Sequence, residues 1–334
     1  MTGSLFLEAL RSRNAPPVIV AELSGNHRGE LARAMDLIDA AADSGADAVK
    51  LQTYRPDTIT VDCRDDRFLI EEGLWAGRHL ADLYAEAMTP WEWHIPLAAR
   101  AAERGMTLFS SPFDETAVDF LEENVAPPLH KIASCETNHF PLLKKVARTG
   151  KPVVASVGSS TRKEIGEFVD LLRAEGCPLV VLLQCVSEYP AEPEDFRLRS
   201  IPGLAEEFDA LVGLSDHSPG HVVPLVATAL GARLIEKHLV LDRNDGSIDS
   251  GFSMEPAEMT QLVAETERAW QALGQVRYGA TEAEKAPAQA LRAAETQLAS
   301  ARSSVAKWQA ETINVERHTE LVKLRELEEE LGGL

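Results

Sequence analysis

From Pro16 onward, short β-branched or apolar runs alternate with longer stretches of helical periodicity, and this alternation constrains the fold more than any other feature of the chain. The runs are PPVIVAE (16–22), DAVKLQ (47–52), MTLFSS (106–111), LHKIAS (129–134), PVVASV (152–157), LVVLLQ (179–184), LVGLSD (211–216) and RLIEKHL (233–239). Strands that alternate with helices pair in parallel, because each helix carries the chain back to the starting edge of the sheet. Intervening segments such as ELARAMDLIDAAADSG and TRKEIGEFVDLLRAEG space their apolar residues by three and four and place a Gly after the last turn. Eight such units in about 260 residues predict a (β/α)8 barrel, an α/β TIM barrel.

The chain has 334 residues, more than one hydrophobic core usually serves, so a barrel plus an appendage is expected. We place the barrel at 1–280 and a helical extension at 281–334. From Thr281 the sequence is rich in Ala, Glu and Arg, with one Pro (Pro287) and no Gly before Gly332. Strong helix formers of this kind predict one or two long helices. Val305, Trp308, Ile313 and Val315 could supply an apolar stripe that packs on the barrel or a partner subunit, the alternative being a solvated helix. A long charged insertion in the second unit, from Tyr54 to about Thr89, leads into Trp91-Glu92-Trp93-His94. In a barrel such a loop rises over the mouth, so it is a lid candidate, and equally its Trp residues could anchor the next helix.

With 33 Lys+Arg against 53 Asp+Glu, the net charge is −20. An acidic surface repels phosphate backbones and anionic membranes, which argues against nucleic-acid or membrane partners. Cys63, Cys135, Cys177 and Cys185 are scattered, unlike a zinc ribbon or a disulfide scaffold. No apolar run approaches the roughly 20 residues of a membrane span, and Glu8, Arg11 and Arg13 interrupt the N-terminus where a signal peptide would be apolar. A soluble, cytoplasmic protein is expected.

Barrel chemistry gathers at the carboxyl ends of the strands, and polar residues concentrate there. The successive strand ends carry Glu22; Lys50 and Gln52; Ser110 and Ser111; Lys131 and Ser134; Ser156; Gln184; Ser215, Asp216 and His217; and Glu236, Lys237 and His238. Two lysines with several serines describe a locally basic pocket for a small, multiply charged anion, although either lysine alone could be half of a structural ion pair. His217 and His238 end adjacent strands. Two imidazoles there suit a divalent transition metal, the alternative being a hydrogen-bonded core pair.

These residues sit in recognisable motifs. VIVAELSGNHRGELARAMDLIDAAADSGADAVKLQTY, FSSPFDETAVDFLEE, HKIASCE, TGKPVVASVGSST, QCVSEYP, GLSDHSPG and EKHLVLDRNDGSIDSGFSMEP occur in order over residues 16–285 and together resemble the sialic acid synthase family. Those enzymes condense phosphoenolpyruvate with an aminosugar aldose. EEGLWAGRHLADLYAEAMTPWEWH and AELSGNH look most like the branch that makes pseudaminic acid from a 2,4-diacetamido-2,4,6-trideoxyhexose.

The resemblance implies that phosphoenolpyruvate is held by Lys50, Ser111, Lys131, Ser134, Ser156 and Ser215, and that Mn2+ or Mg2+ is bound by His217 and His238. It implies that Gln52, Glu136, Tyr189 and Asp249 contact the sugar, that the products are a nonulosonic acid and phosphate, and that the protein is a homodimer. Glu22, His217 and His238 become the catalytic candidates, with Glu22 kept ionised by its lysine neighbours to position or deprotonate water. Asn26 and His27 are assigned to the rim. The family usually continues into an antifreeze-like domain whose arginine reaches a partner's site, a pattern that 281–334 does not show, and Ser187 stands where sialic acid synthases proper commonly carry Asn. Two further readings follow from this departure: a barrel that uses another aldehyde, such as a nucleoside or natural-product intermediate, and a non-catalytic assembly subunit.

Overall fold

The computed structural model describes residues 2–12 and 14–279. The expected boundary at 280/281 and the helical extension 281–334 lie outside the described residues. The chain divides into two compact units, Met1–Leu273 and Gly274–Leu334, and the barrel occupies the first.

Among the described residues eight strands close into a barrel in sequence order: β1 (Val18–Glu22), β2 (Ala48–Thr53), β3 (Thr107–Pro112), β4 (His130–Ile132), β5 (Val153–Ser156), β6 (Val180–Cys185), β7 (Leu211–Asp216) and β8 (Leu234–His238). Every neighbouring pair is parallel, and β1 pairs with β8 to shut the cylinder. A helix follows each strand, from Leu31–Asp43 after β1 to Pro256–Gly279 after β8. Local sequence sets these helices. In Arg162–Ala174, Thr161 and Glu164 form a reciprocal capping box, Ile165, Phe168, Val169 and Leu172 are buried on one face, and Gly176 at φ 103° ends the run in a conformation that L side chains resist.

Strand residues alternate between two apolar layers. Ile19, Ala21, Val49 and Leu51 pack with the surrounding helices, whereas Val18, Val20, Ala48, Phe109, Val154, Val181, Leu183 and Leu234 fill the barrel interior. The floor of that interior is plugged by the N-terminal helix Gly3–Arg11, whose Phe6 and Leu10 are fully buried and whose Phe6 ring lies 6.1 Å from that of Phe109. Gly213 sits in the narrow interior layer. A Cβ there would lie 2.5 Å from the Leu234 carbonyl oxygen and 2.6 Å from Leu183 Cδ2, so only glycine lets β7 approach its neighbours this closely.

Register then positions the mouth. Glu22 is the Cα partner of Lys50 on one side and of His238 on the other. Gln52 pairs with Ser111, Cys185 with Ser215, and Ser215 with Glu236. Among the described residues no helix is long and apolar enough to cross a membrane.

Candidate active site

Strand parity sorts the polar strand ends into two groups. Ser110, Gln184, Asp216 and Lys237 face the helical layer. Thr53 Oγ1 lies 2.7 Å from both Ser110 Oγ and His94 Nε2, Gln184 Nε2 donates to the Phe196 carbonyl at 2.9 Å, and Lys237 Nζ meets Asp216 Oδ2 at 2.6 Å with both side chains fully buried. These four belong to the wall and not to the pocket.

Glu22, Lys50, Gln52, Lys131, Ser156, Ser215 and Glu236 converge inside. Lys50 Nζ lies 3.0 Å from Glu22 Oε2 and 3.0 Å from Glu236 Oε1. Lys131 Nζ lies 3.4 Å from Glu236 Oε1 and donates to Ser156 Oγ at 2.8 Å. Ser215 Oγ donates to Glu236 Oε1 at 3.0 Å, and Gln52 Nε2 and the Ser24 amide donate to Glu22 Oε1 at 3.1 and 3.0 Å. The pocket expected to be basic therefore matches two lysines with two carboxylates, because amines this deeply buried require counter-charges.

The two carboxyls differ in electrostatic state. Burial opposes the ionisation of Glu236, yet Lys131 and Lys50 outweigh it and hold that carboxyl well below the usual range. Burial pushes Glu22 up, Lys50 opposes the rise, and the charge of Glu236 adds to it. The two carboxyls are thus biased oppositely, Glu236 toward its anion and Glu22 away from it, which runs against the expectation that Glu22 is the carboxylate kept ionised. Lys50 is held protonated, since Glu22 and Glu236 overcome the opposing effect of burial, and burial draws Lys131 down. Ser111 Oγ is buried with no hydrogen-bond partner, a hydroxyl that an anion would satisfy.

Above this cluster lie the imidazoles. His217 Nδ1 is 2.7 Å from the Val186 carbonyl oxygen. That oxygen can only accept, so Nδ1 carries the proton and Nε2 keeps its lone pair. His238 Nδ1 is 3.3 Å from Ser24 Oγ, and the two rings lie 5.3 Å apart at 62°. Burial lowers both, His217 to about 4 and His238 well below its ordinary value. Two neutral imidazoles are competent ligands. Among the described residues no cluster of three or more His, Cys, Asp or Glu forms a complete metal cage, so a cation bound here would take its other ligands from substrate or water. Tyr189 packs on His217 at 4.4 Å, and Phe252 lies 4.8 Å from His238 and 5.9 Å from His217.

The remaining candidates lie in the loops just beyond the strand ends. Ser134 and Glu136 belong to a 3-10 turn just past β4 and not to the strand itself. Ser134 Oγ accepts from the Ser159 amide at 2.8 Å, and the Glu136 carboxylate lies 2.8 Å from His139 Nδ1. Asp249 is in the loop after β8, where burial raises it to about 6 against hydrogen bonds from Ser24 and Gly25. Asn26 pins that loop: its Nδ2 donates to Leu239 O and Ser253 Oγ, and its Oδ1 accepts from the Asp249 amide. His27 is also buried, with its ring edge-on to Trp93 at 5.4 Å.

Both readings of the insertion have a structural counterpart. Trp91 is an anchor, donating to Tyr54 O at 3.0 Å and stacking on Phe120 at 4.7 Å. Trp75 instead crosses the mouth and donates to Ile248 O at 2.9 Å. Sequence reasoning missed Trp75 and Phe252 as site residues, and also the central role of Glu236 and the inward Cys185, whose thiol senses Lys131 and Ser215. All four stand inside quoted motifs: Trp75 in EEGLWAGRHL, Phe252 in GFSMEP, Glu236 in EKHL and Cys185 in QCVSEYP.

Comparison with known proteins identifies the family. The NeuB family profile matches residues 37–278. The pseudaminic acid synthase of Campylobacter jejuni is 43% identical over 256 residues, 77% of this chain and 74% of the relative. The pseudaminic acid synthase of Helicobacter pylori is 42% identical over 260 residues, 78% and 76% of the two chains. The crystal structure of N-acetylneuraminic acid synthetase from Leptospira borgpetersenii superposes with a TM-score of 0.72 at 33% identity, covering 83% of this chain and 91% of that one. The chain belongs to the NeuB family and, like the synthases it matches, is an enzyme.

Proposed function

We propose that the enzyme condenses phosphoenolpyruvate with an aminosugar aldose of the 2,4-diacetamido-2,4,6-trideoxyhexose type, giving a nonulosonic acid and phosphate. The observation that carries this reading is the buried Lys50, Lys131, Glu22 and Glu236 cluster lying beneath two neutral imidazoles. The pseudaminic acid synthases at 42–43% identity favour the acceptor class.

Phosphoenolpyruvate binds at the lysines, with the hydroxyls of Ser111, Ser134, Ser156 and Ser215 as further donors. Carbon 3 of the enol attacks the aldehyde carbon of the open-chain sugar, and positive charge develops at carbon 2. Water adds there, and the tetrahedral intermediate expels phosphate with cleavage of the C–O bond. Glu22, whose hold on a proton is raised by burial, is suited in its carboxylate form to take one proton from that water and return it to the departing phosphate, while the proton of the new hydroxyl passes to the alkoxide formed at the former aldehyde. Glu236 remains a fixed anion that keeps both lysines aligned. A divalent cation held by His217 and His238 would polarise the aldehyde oxygen. Gln52, Glu136, Tyr189 and Asp249 line the acceptor side.

The test is phosphate release from phosphoenolpyruvate with a panel of aldoses, with and without Mn2+ or Mg2+. Release that depends on both the diacetamido sugar and the cation is expected. No release with any aldose overturns the reading.

A further inference from the structure

Between Leu69 and His79, which pair in an isolated antiparallel bridge, the insertion folds back on itself. The Ile70 amide donates to Arg78 O at 2.9 Å and the Gly77 amide to Ile70 O at 2.8 Å. Gly73 and Gly77 supply φ values of 85° and 83° at the turn. No residue of this hairpin is buried, nor is any in the preceding helix Pro56–Ile59 or the 3-10 turn Asp66–Phe68. A segment with so little buried apolar surface opens at small free-energy cost.

Its contacts across the mouth centre on Trp75, with Leu74 lying over Gly251. The Trp75 indole N–H donates to Ile248 O at 2.9 Å, and its ring lies 5.5 Å from Tyr189 and 6.5 Å from Phe252. Tyr189 and Phe252 in turn flank His217 and His238. Trp75 makes no hydrogen bond to Glu22, Lys50, Lys131 or Glu236, which are all 5% exposed or less. The anion end of the pocket is therefore formed without Trp75, while the imidazole end is roofed by it.

We propose that hairpin Leu69–His79 is a lid, that Trp75 is its latch, and that the closed latch positions the acceptor sugar by fixing Tyr189 and Phe252 against the two imidazoles. This rests on the condensation reading above. An aromatic roof suits the C–H face of a sugar and excludes bulk water from the aldehyde end. Opening would admit the acceptor after phosphoenolpyruvate has occupied the deeper half. Trp75 is thus a positioning residue, acting through Tyr189 and Phe252.

Trp75→Phe keeps a ring and removes the N–H donor, and Trp75→Ala removes both. In the full-length protein, KM for the acceptor should rise about fivefold in Trp75→Phe, as expected for one hydrogen bond. In Trp75→Ala the rise should be about twentyfold or more, since ring contacts are lost as well. KM for phosphoenolpyruvate should stay within about twofold in both variants. An unchanged acceptor KM, or an equal rise in both KM values, overturns the latch. A second readout needs no turnover: amide hydrogen exchange of 69–79 in the unliganded protein should quicken about fivefold in Trp75→Phe while the strands keep their protection. Unchanged exchange there overturns the latch. Quickened exchange in an enzyme that turns over no aldose supports the latch and refutes only the condensation.

Discussion

At the scale of single residues, two carboxyls less than one lysine side chain apart are pushed in opposite directions. Glu236 has both lysines as counter-charges, while Glu22 has mainly Lys50 and must also tolerate Glu236. Glu22→Gln keeps the hydrogen bond from Gln52 and removes the titrating group. Its kcat should fall by about 10²–10⁴, the usual contribution of general acid–base chemistry, with KM for phosphoenolpyruvate changed little. A kcat within about threefold of wild type would remove Glu22 from proton transfer. Asp249 gives a second residue-scale test. Its rise from 3.8 to about 6 means that the folded protein holds the proton better than the unfolded chain does. That contribution is fully present below about pH 4 and is lost as pH climbs through 6, with an upper bound of roughly 3 kcal/mol. Asp249→Asn cannot ionise, so its stability relative to wild type should improve between pH 4 and pH 7 in urea titrations. A difference that is flat with pH would contradict this.

At the scale of elements, the eight strands were legible from their β-branched runs, but which polar strand ends face the pocket was not. In a parallel barrel both faces of each strand are apolar, so alternation alone leaves the parity of Ser110 against Ser111, or Glu236 against Lys237, undetermined. Closure and register settle it, through pairs such as Glu22 with His238. Ser134 was read as a strand end because LHKIAS is continuous in sequence, but the strand stops at Ile132 and a 3-10 turn carries the serine to the rim. Trp75 gave no periodic signal, being one aromatic in a charged insertion. The N-terminal plug predicts a clean separation of stability from function. Phe6→Ala empties a fully buried site against Phe109 and should cost about 3–5 kcal/mol in urea denaturation. The enzyme that remains folded should keep its KM for phosphoenolpyruvate, because the plug closes the opposite end of the barrel from the mouth. A loss of binding without loss of stability would show that the floor shapes the pocket.

At the scale of the whole molecule, an acidic protein binds an acidic substrate by confining positive charge to a place where water does not screen it. The chain carries a net charge of −20, while inside the barrel the buried Lys50 and Lys131 face Glu22 and Glu236. Affinity for phosphoenolpyruvate should therefore vary by less than about threefold between 0.05 and 0.3 M salt, where surface charges are strongly screened and buried ones are not. A steep salt dependence would move the binding determinant to the exterior. The central proposal, condensation with C–O cleavage, is tested most directly by following phosphoenolpyruvate labelled with oxygen-18 in the bridging C2–O position. It would be incubated with 2,4-diacetamido-2,4,6-trideoxyhexose and a divalent cation. The expected result is a 2-keto acid with a nine-carbon backbone and label recovered wholly in the phosphate. Unlabelled phosphate with the label kept in the organic product would contradict the proposal.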